Sequence, residues 1–309
     1  MKLVFCGTPQ FAVPTLQALA DAGFDIALVV TQPDRPSGRH LELAPSPVKK
    51  LAQTLGVPIT QPEKIKNNEA FRAQLQQIQP EAIVVVGYGR IIPQWMIDLP
   101  PLGNINLHAS LLPKYRGAAP VQWAIAMGES VTGVTTMRID AGLDTGDILL
   151  QREEPVRDQD TAETLAPRLA EMGAPLMLDT LRGLQAGTIT PQPQDHTRAS
   201  LAPILKKEDG LIDFQRTAPE ICSRLRGFQP WPGAFTTLRG KTLNIEAARP
   251  AEGPLIPPGE LKVEGERLLA GCGGGTTVEF LQVHPEGKRS MSARDFIHGY
   301  RPKSGEKLG

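Results

Sequence analysis

Asn106 and His108 stand two residues apart in the segment Asn104-Ile105-Asn106-Leu107-His108-Ala109-Ser110-Leu111-Leu112-Pro113-Lys114-Tyr115-Arg116-Gly117. Alternate residues of a strand share one face. A strand over 104–108 therefore carries Asn104, Asn106 and His108 on one side and Ile105 and Leu107 on the other. Polar groups on a buried strand face cost free energy unless they are paired or used. An Asn amide can donate to a developing oxyanion, and a His two residues further on can exchange a proton near neutral pH. The competing reading is a strand-end polar cluster satisfied by loops. A second segment, Asp140-Ala141-Gly142-Leu143-Asp144-Thr145-Gly146-Asp147, places acids and glycines between two extended runs. It reads either as an ordinary turn or as a loop that delivers a carboxylate to His108, favouring the charged ring and fixing its orientation. The spacing of an EF-hand calcium loop is not met. A third segment, Thr31–Pro47, is a long loop holding Arg35, Arg39 and His40. Loops of more than about 12 residues tend to be functional, although a surface insertion would look the same.

The elements that must position these residues alternate strand and helix through the first half. Leu3–Gly7, Ile26–Val30, Ala82–Val86, Asn104–His108 and Thr132–Ile139 read as strands. Phe11–Ala22, Val48–Leu55, Asn67–Ile78, Val121–Met127 and Thr161–Leu184 read as helices. The β-branched run Ala82–Val86 marks a strand covered on both faces. The alternation predicts an α/β fold with a doubly wound, mostly parallel sheet. Residues 188–205 are rich in polar residues and proline and offer little to pack, which predicts a domain at 1–189, a linker at 190–205 and a second domain at 206–309. Beyond the linker a helix is expected at Pro219–Gly227. Short extended runs follow at Ala234–Leu238, Thr242–Ala247, Gly259–Val263, Arg267–Ala270 and Thr276–Val283, with a final helix at Ser292–Gly299. That spacing of short strands suggests a small barrel.

Composition narrows the classes. The 309 residues are 40% hydrophobic and 21% charged, ordinary for a globular protein. Three cysteines, Cys6, Cys222 and Cys272, are odd in number and far apart, so neither a disulfide framework nor a CxxC knuckle is expected. No run approaches the roughly 18 apolar residues of a membrane span, and the first residues do not form a signal peptide; a cytoplasmic protein is expected. The first turn, Gly7-Thr8-Pro9-Gln10-Phe11-Ala12, lacks the G-x-G-x-x-G of dinucleotide sites, and there is no Walker loop, G-x-S-x-G or H-E-x-x-H. The 33 basic and 33 acidic residues balance, which at first argues against a nucleic-acid partner. By parts, residues 1–190 carry 16 basic and 19 acidic side chains, a net of −3, and residues 191–309 carry 17 and 14, a net of +3. A mild basic bias toward the C-terminus remains.

Taken together, Asn106-x-His108, Ser110-Leu111-Leu112-Pro113, Arg116-Gly117-Ala118-Ala119-Pro120 and Gly142-Leu143-Asp144-Thr145-Gly146-Asp147 resemble the 10-formyltetrahydrofolate-dependent formyltransferases. The segments Phe5–Pro9, Thr31–Pro36 and Pro230-Trp231-Pro232-Gly233-Ala234 extend the resemblance over nearly the whole chain. It implies a Rossmann-like formyltransferase domain followed by an OB-like β-barrel. It implies Asn106, His108 and Asp144 as catalytic residues. Ser110, Leu111, Leu112, Pro113, Tyr88 and Ile91 are implied as folate contacts, with 10-formyltetrahydrofolate as donor and no metal. The narrower segments imply the branch whose acceptor is the α-amino group of methionine on initiator tRNA. Within that branch the long loop reaches the tRNA, Arg39 is its basic position, and His40-Leu41-Glu42-Leu43 stands where lysines are common. Arg35, Arg39, Arg249, Lys288, Arg289, Arg301 and Lys303 are then the tRNA-contact candidates, and a monomer is expected. A related enzyme acting on an amino sugar nucleotide would share most of the motifs, but not the 34–39 loop as written.

Overall fold

Strand β1 (Lys2–Gly7) buries Leu3, Val4, Phe5 and Cys6 completely, so both of its faces are covered. The computed structural model describes residues 1–37 and 42–309, and Arg39 and His40 lie outside the described residues. The chain divides into two compact units. The first comprises Met1–Pro120, Val131–Pro155 and Ala166–Pro203, and the second Val121–Ser130, Val156–Leu165 and Ile204–Gly309.

In the first unit, β1 is followed by α1 (Val13–Asp21), β2 (Asp25–Val30) and a short hairpin of β3 (Arg35–Ser37) and β4 (Glu42–Ala44). Helix α2 (Pro47–Thr54) starts where Ser46 caps Lys49 N, with Pro47 in the first turn, a position where the missing N–H costs nothing. After β5 (Ile59–Thr60) comes α3 (Glu69–Ile78), capped by Asn68 and ended by Gln79 in a left-handed conformation just before Pro80. Then follow β6 (Ala82–Val86), α4 (Gln94–Ile97), β7 (Asn104–His108), α5 (Pro120–Ala126), β8 (Val131–Arg138), β9 (Ile148–Pro155) and α6 (Ala162–Ala186). Of these, α5 falls almost wholly in the second unit.

The sheet order is β5-β2-β1-β6-β7-β8-β9. The first five strands in that order are parallel, and β8 and β9 run antiparallel to their neighbours. Chain order reverses between β1 and β6, the switch point at whose strand ends α/β sheets bind ligands. One face of the sheet packs Val4, Cys6, Leu28, Val30, Ile83 and Val85 against Phe71, Leu75 and Met96. The alternate residues Leu3, Phe5, Val29 and Val84 are fully buried as well. On β7, Leu107 meets α6, where a Cβ on Gly173 would lie 2.5 Å from Leu107 Cδ2. That close approach fixes which pleat of β7 faces the helix and leaves Asn106 and His108 on the other.

The expected linker is not a free spacer. Gln192 pairs with Ile148 and Leu201 with Arg116, and Gln194 and Ala202 are buried. The side chains of Gln194, His196 and Ser200 find partners at residues 115–116 and 144–146, a non-local result that composition does not reveal.

In the second unit, α7 (Ala218–Gly227) begins with a Thr217–Glu220 capping box. It is followed by β10 (Ala234–Leu238), β11 (Lys241–Ala251), β12 (Leu261–Glu264), β13 (Arg267–Gly271), β14 (Thr277–Pro285), β15 (Met291–Ser292) and α8 (Ala293–Tyr300). The antiparallel order is β10-β11-β14-β13-β12, with β15 beside β14. The expected barrel does not close by strand pairing. Instead the last residues bridge toward both edge strands, Leu308 pairing with Leu238 of β10 and Lys307 with Glu260 just before β12. Phe280, Val283, Leu243, Ile245, Leu268 and Phe296 form the core beneath.

Candidate active site

His108 ends β7, and its ring is held from two sides. Its Nε2 lies 2.8 Å from the Tyr115 carbonyl, which can only accept, so Nε2 carries the proton. Its Nδ1 faces Asp144 Oδ2 at 3.7 Å, beyond hydrogen-bond length. The same carboxylate oxygen accepts the Gly117 N–H at 2.8 Å. Asp144 has φ of 50°, a left-handed conformation uncommon for any residue but glycine and eased for Asp and Asn. The three loop acids divide their work. Asp140 builds the turn, accepting from Gly142 N and Thr145 Oγ1. Asp144 faces the imidazole. Asp147 contributes its carbonyl to Arg138 N.

Asn106 is half-buried one pleat before His108. Its amide makes no hydrogen bond among the described residues, so both its donor and its acceptor are free for a ligand. Asn104, on the same strand, is structural: its Nδ2 donates to the carbonyls of Met96 and Ile97, tying β7 to α4. Of the two outcomes open to a polar group on this face, Asn104 takes pairing, its amide donors used by a neighbouring helix.

The turn after β7 is fixed by Thr135, which pairs with His108 in the ladder. Its Oγ1 donates to Ser110 O at 2.6 Å and accepts from Leu112 N and Gln151 Nε2. Ser110 Oγ donates to Lys114 O, and Leu112 O accepts from Gln151 Nε2. Both Ser110 and Leu112 are buried and shape this wall, while Leu111 leans on Gly133. Pro113 O accepts from Ser200 N. Of the other folate candidates, Ile91 is 91% exposed, whereas the Tyr88 ring is buried in the core with an unpartnered hydroxyl. Burial pushes that phenol's pKa up. The carbonyl of Tyr88 accepts from Gln32 Nε2, joining the loops that follow β2 and β6. The base of the long loop is further held by Asp34, whose carboxylate accepts from Lys49 and Gln61 and is kept below the usual range by those bonds.

Among the tRNA-contact candidates, Arg35 is exposed and donates to Gln32 Oε1. Lys288, Arg289, Arg301 and Lys303 are exposed on the second unit. Arg249 is different: its guanidinium is committed to Glu279, shared with Arg267. That pairing removes Arg249 from the group of unpaired cations. Sequence reading gives no role to Arg116 and Gln194, whose buried side chains bond to each other. The R-G-A-A-P segment flags the first; nothing local flags the second. Among the described residues no cluster of three metal-ligating side chains occurs, and no helix is long and apolar enough to cross a membrane.

The Asn-x-His at the end of β7, with Asp144 brought toward the ring from a separate loop, lies in the part of the chain that matches the formyl transferase family. The chain belongs to that family: the formyl transferase model matches residues 1–181 and the formyl transferase C-terminal domain model residues 204–301. Its relatives include the methionyl-tRNA formyltransferase of Koribacter versatilis, 67% identical over all of this chain and 99% of that protein. The methionyl-tRNA formyltransferase of Acidobacterium capsulatum is 62% identical over 97% of this chain and 96% of that one. A solved sugar 3N-formyl transferase, WlaRD, in the presence of dTDP and 5-N-formyl-THF, shares the fold at a TM-score of 0.68 and 20% identity, over 94% of this chain and 99% of that one.

Proposed function

We propose that this chain transfers the formyl group of 10-formyltetrahydrofolate to the α-amino group of methionyl initiator tRNA, giving N-formylmethionyl-tRNA. The observation that carries the reading is the pairing of His108 with Asp144 beside the unpartnered amide of Asn106, in a chain 67% identical to a methionyl-tRNA formyltransferase.

The donor supplies an electrophilic formyl carbon on N10. The acceptor amine forms a C–N bond to that carbon, and the carbonyl electron pair moves to oxygen. When the oxyanion collapses, the bond to N10 breaks, N10 keeps the pair, and a proton lost by the amine is matched by one gained at N10. Asn106 donates its free amide to the oxyanion. With Nε2–H held by the Tyr115 carbonyl, the protonated ring of His108 donates from Nδ1, the nitrogen beside Asp144. Asp144 orients the ring and helps carry the amine's proton. The wall formed by Ser110–Pro113 and the exposed Ile91 suit a flat ring that needs apolar contact. Arg35, Arg39, Lys288, Arg289, Arg301 and Lys303 contact tRNA phosphates, which position the substrate without reading its sequence. In this reading the two domains divide at the 190–205 segment, the enzyme acts as a monomer, and it works in the cytoplasm.

A radiolabelled formyl-transfer assay with 10-formyltetrahydrofolate tests the proposal against three acceptors: methionyl initiator tRNA, methionyl elongator tRNA and an amino sugar nucleotide. Label is expected on methionyl initiator tRNA. Label on the sugar nucleotide alone would overturn the proposal.

A further inference from the structure

We infer that Gln194, in the segment between the two family-matched regions, is a positioning residue for the reaction, acting through Asp144. Its side chain is 6% exposed and every hydrogen-bonding position is filled. The Oε1 accepts twice from Arg116, from Nε at 3.1 Å and from Nη2 at 2.6 Å. The Nε2 donates to two backbone carbonyls, Asp144 O at 2.9 Å and Gly146 O at 2.7 Å. The guanidinium has no acceptor, so the amide has one workable orientation, with oxygen toward Arg116 and nitrogen toward the loop.

One of the two carbonyls belongs to Asp144 itself, which sits at positive φ, and the other lies two residues further on. Such a conformation is uncommon for a residue other than glycine and persists only where the surroundings impose it. Gly146 is wedged against Arg138, whose carbonyl would lie 2.0 Å from an added Cβ. Gln194 clamps the other side. The Arg116 end of the clamp is itself fixed, since Arg116 N donates to Ser200 O, Ala202 N donates to Arg116 O, and Nη2 contacts His196 Nδ1. The residue after Arg116 is Gly117, whose N–H holds the Asp144 carboxylate. Gln194 thus joins the loop that carries Asp144 to the turn that grips its side chain. Removing the donor half of Gln194 frees the backbone of Asp144 while leaving His108, Asn106 and the folate wall untouched.

The inference rests on the proposed reaction for its kinetic arm only. Gln194→Glu keeps size and the acceptor for Arg116 but cannot donate to the two carbonyls, and Gln194→Ala removes both links without adding charge. Gln192→Ala, at a side chain bonded only to a local carbonyl, is the control. Amide hydrogen exchange of Gly117 reads the grip on Asp144 directly, without substrate. In the Gln194 variants Gly117 should exchange at least about tenfold faster while Val84 in β6 keeps its protection. The kcat should fall by roughly 10²-fold, the cost of misplacing a reacting group by about 1 Å, with KM for the folate donor within about twofold. The control should match wild type. Wild-type Gly117 protection with wild-type kcat in a folded variant would overturn the inference, as would a loss of protection spread evenly over the sheet. Selective loss at Gly117 in a protein that transfers no formyl group at all would uphold the positioning role and remove the activity reading. Should Gln194→Glu not fold, Gln194→Ala carries the same readouts.

Discussion

Asp144 faces His108 at 3.7 Å without a hydrogen bond, and the carboxylate is aimed by Gly117 rather than by the ring it serves. The gap leaves Nδ1 of His108 open on the side where the carboxylate charge lies. Replacing Asp144 by Asn separates charge from shape. Asn is among the residues most tolerant of positive φ, and its Oδ1 can still accept from Gly117. Asp144→Asn should therefore fold with an unchanged melting temperature and lose about 10²- to 10⁴-fold in kcat, the range of a lost acid–base partner. Steady-state formyl transfer beside thermal unfolding checks it; retained kcat would remove Asp144 from the chemistry.

Asn106 has no bond to lose within the described residues. Asn106→Ala should leave stability within about 0.5 kcal/mol, as for a side chain outside any network. The kcat should fall by about 10²- to 10³-fold, the effect of removing one oxyanion donor. A large stability loss with little change in kcat would show that the amide serves the fold.

How far the sequence reveals this site depends on the range of each interaction. Strand β7 and its Asn-x-His face are local, set by alternation over five residues, and they are legible. Asp144 is marked by a motif, but its aim at His108 depends on Gly117, 27 positions away. Gln194 is invisible in the sequence because its worth comes from Arg116 and two distant carbonyls. The parallel strands β1, β2, β6 and β7 follow from helix–strand alternation. The reversal at β8 does not, since a helix at Pro120–Ala126 before a strand fits either direction. Where the strands do not close the barrel, residues 307–308 bridge toward both edges, a role no short polar tail advertises.

Gly133 lies in β8 where an added Cβ would sit 2.1 Å from Arg152 O and 2.6 Å from Leu111 Cδ2. The carbonyl belongs to the β8–β9 ladder, where Val134 pairs with Arg152, so it cannot yield without breaking pairing. Gly133→Ala should cost about 1–3 kcal/mol, as overpacking does, and should disturb the Leu111 wall as well. Urea unfolding and KM for the folate donor are the measurements. An unchanged midpoint would mean that the ladder shifts freely.

Lys288 and Arg289 are exposed in the β14–β15 turn, with no ion pair among the described residues. If they neutralise phosphates, each substitution to Ala should lower the slope of log affinity against log salt by about one unit. Affinity for the folate should not change. Arg249→Ala, by contrast, should act on stability, because its charge serves Glu279. Filter binding of tRNA across a salt series distinguishes the two; equal slopes for all variants would exclude Lys288 and Arg289 from the phosphate-binding surface.

Glu279 is buried at 5% exposure, between Arg249 and Arg267. Burial opposes its ionisation, but hydrogen bonds from Arg267 and Arg249 outweigh that and hold its pKa below the usual carboxylate range. A carboxylate with a depressed folded value binds fewer protons folded than unfolded. Its stabilisation is complete above the unfolded value of about 4.3 and is lost as pH falls through the lower folded value. Glu279→Gln should consequently melt below wild type at pH 7, and the difference should narrow as pH drops below about 4. Melting curves from pH 7 to pH 3 check the sign: a difference that holds constant or widens toward acid would mean that the two arginines do not stabilise the charged form.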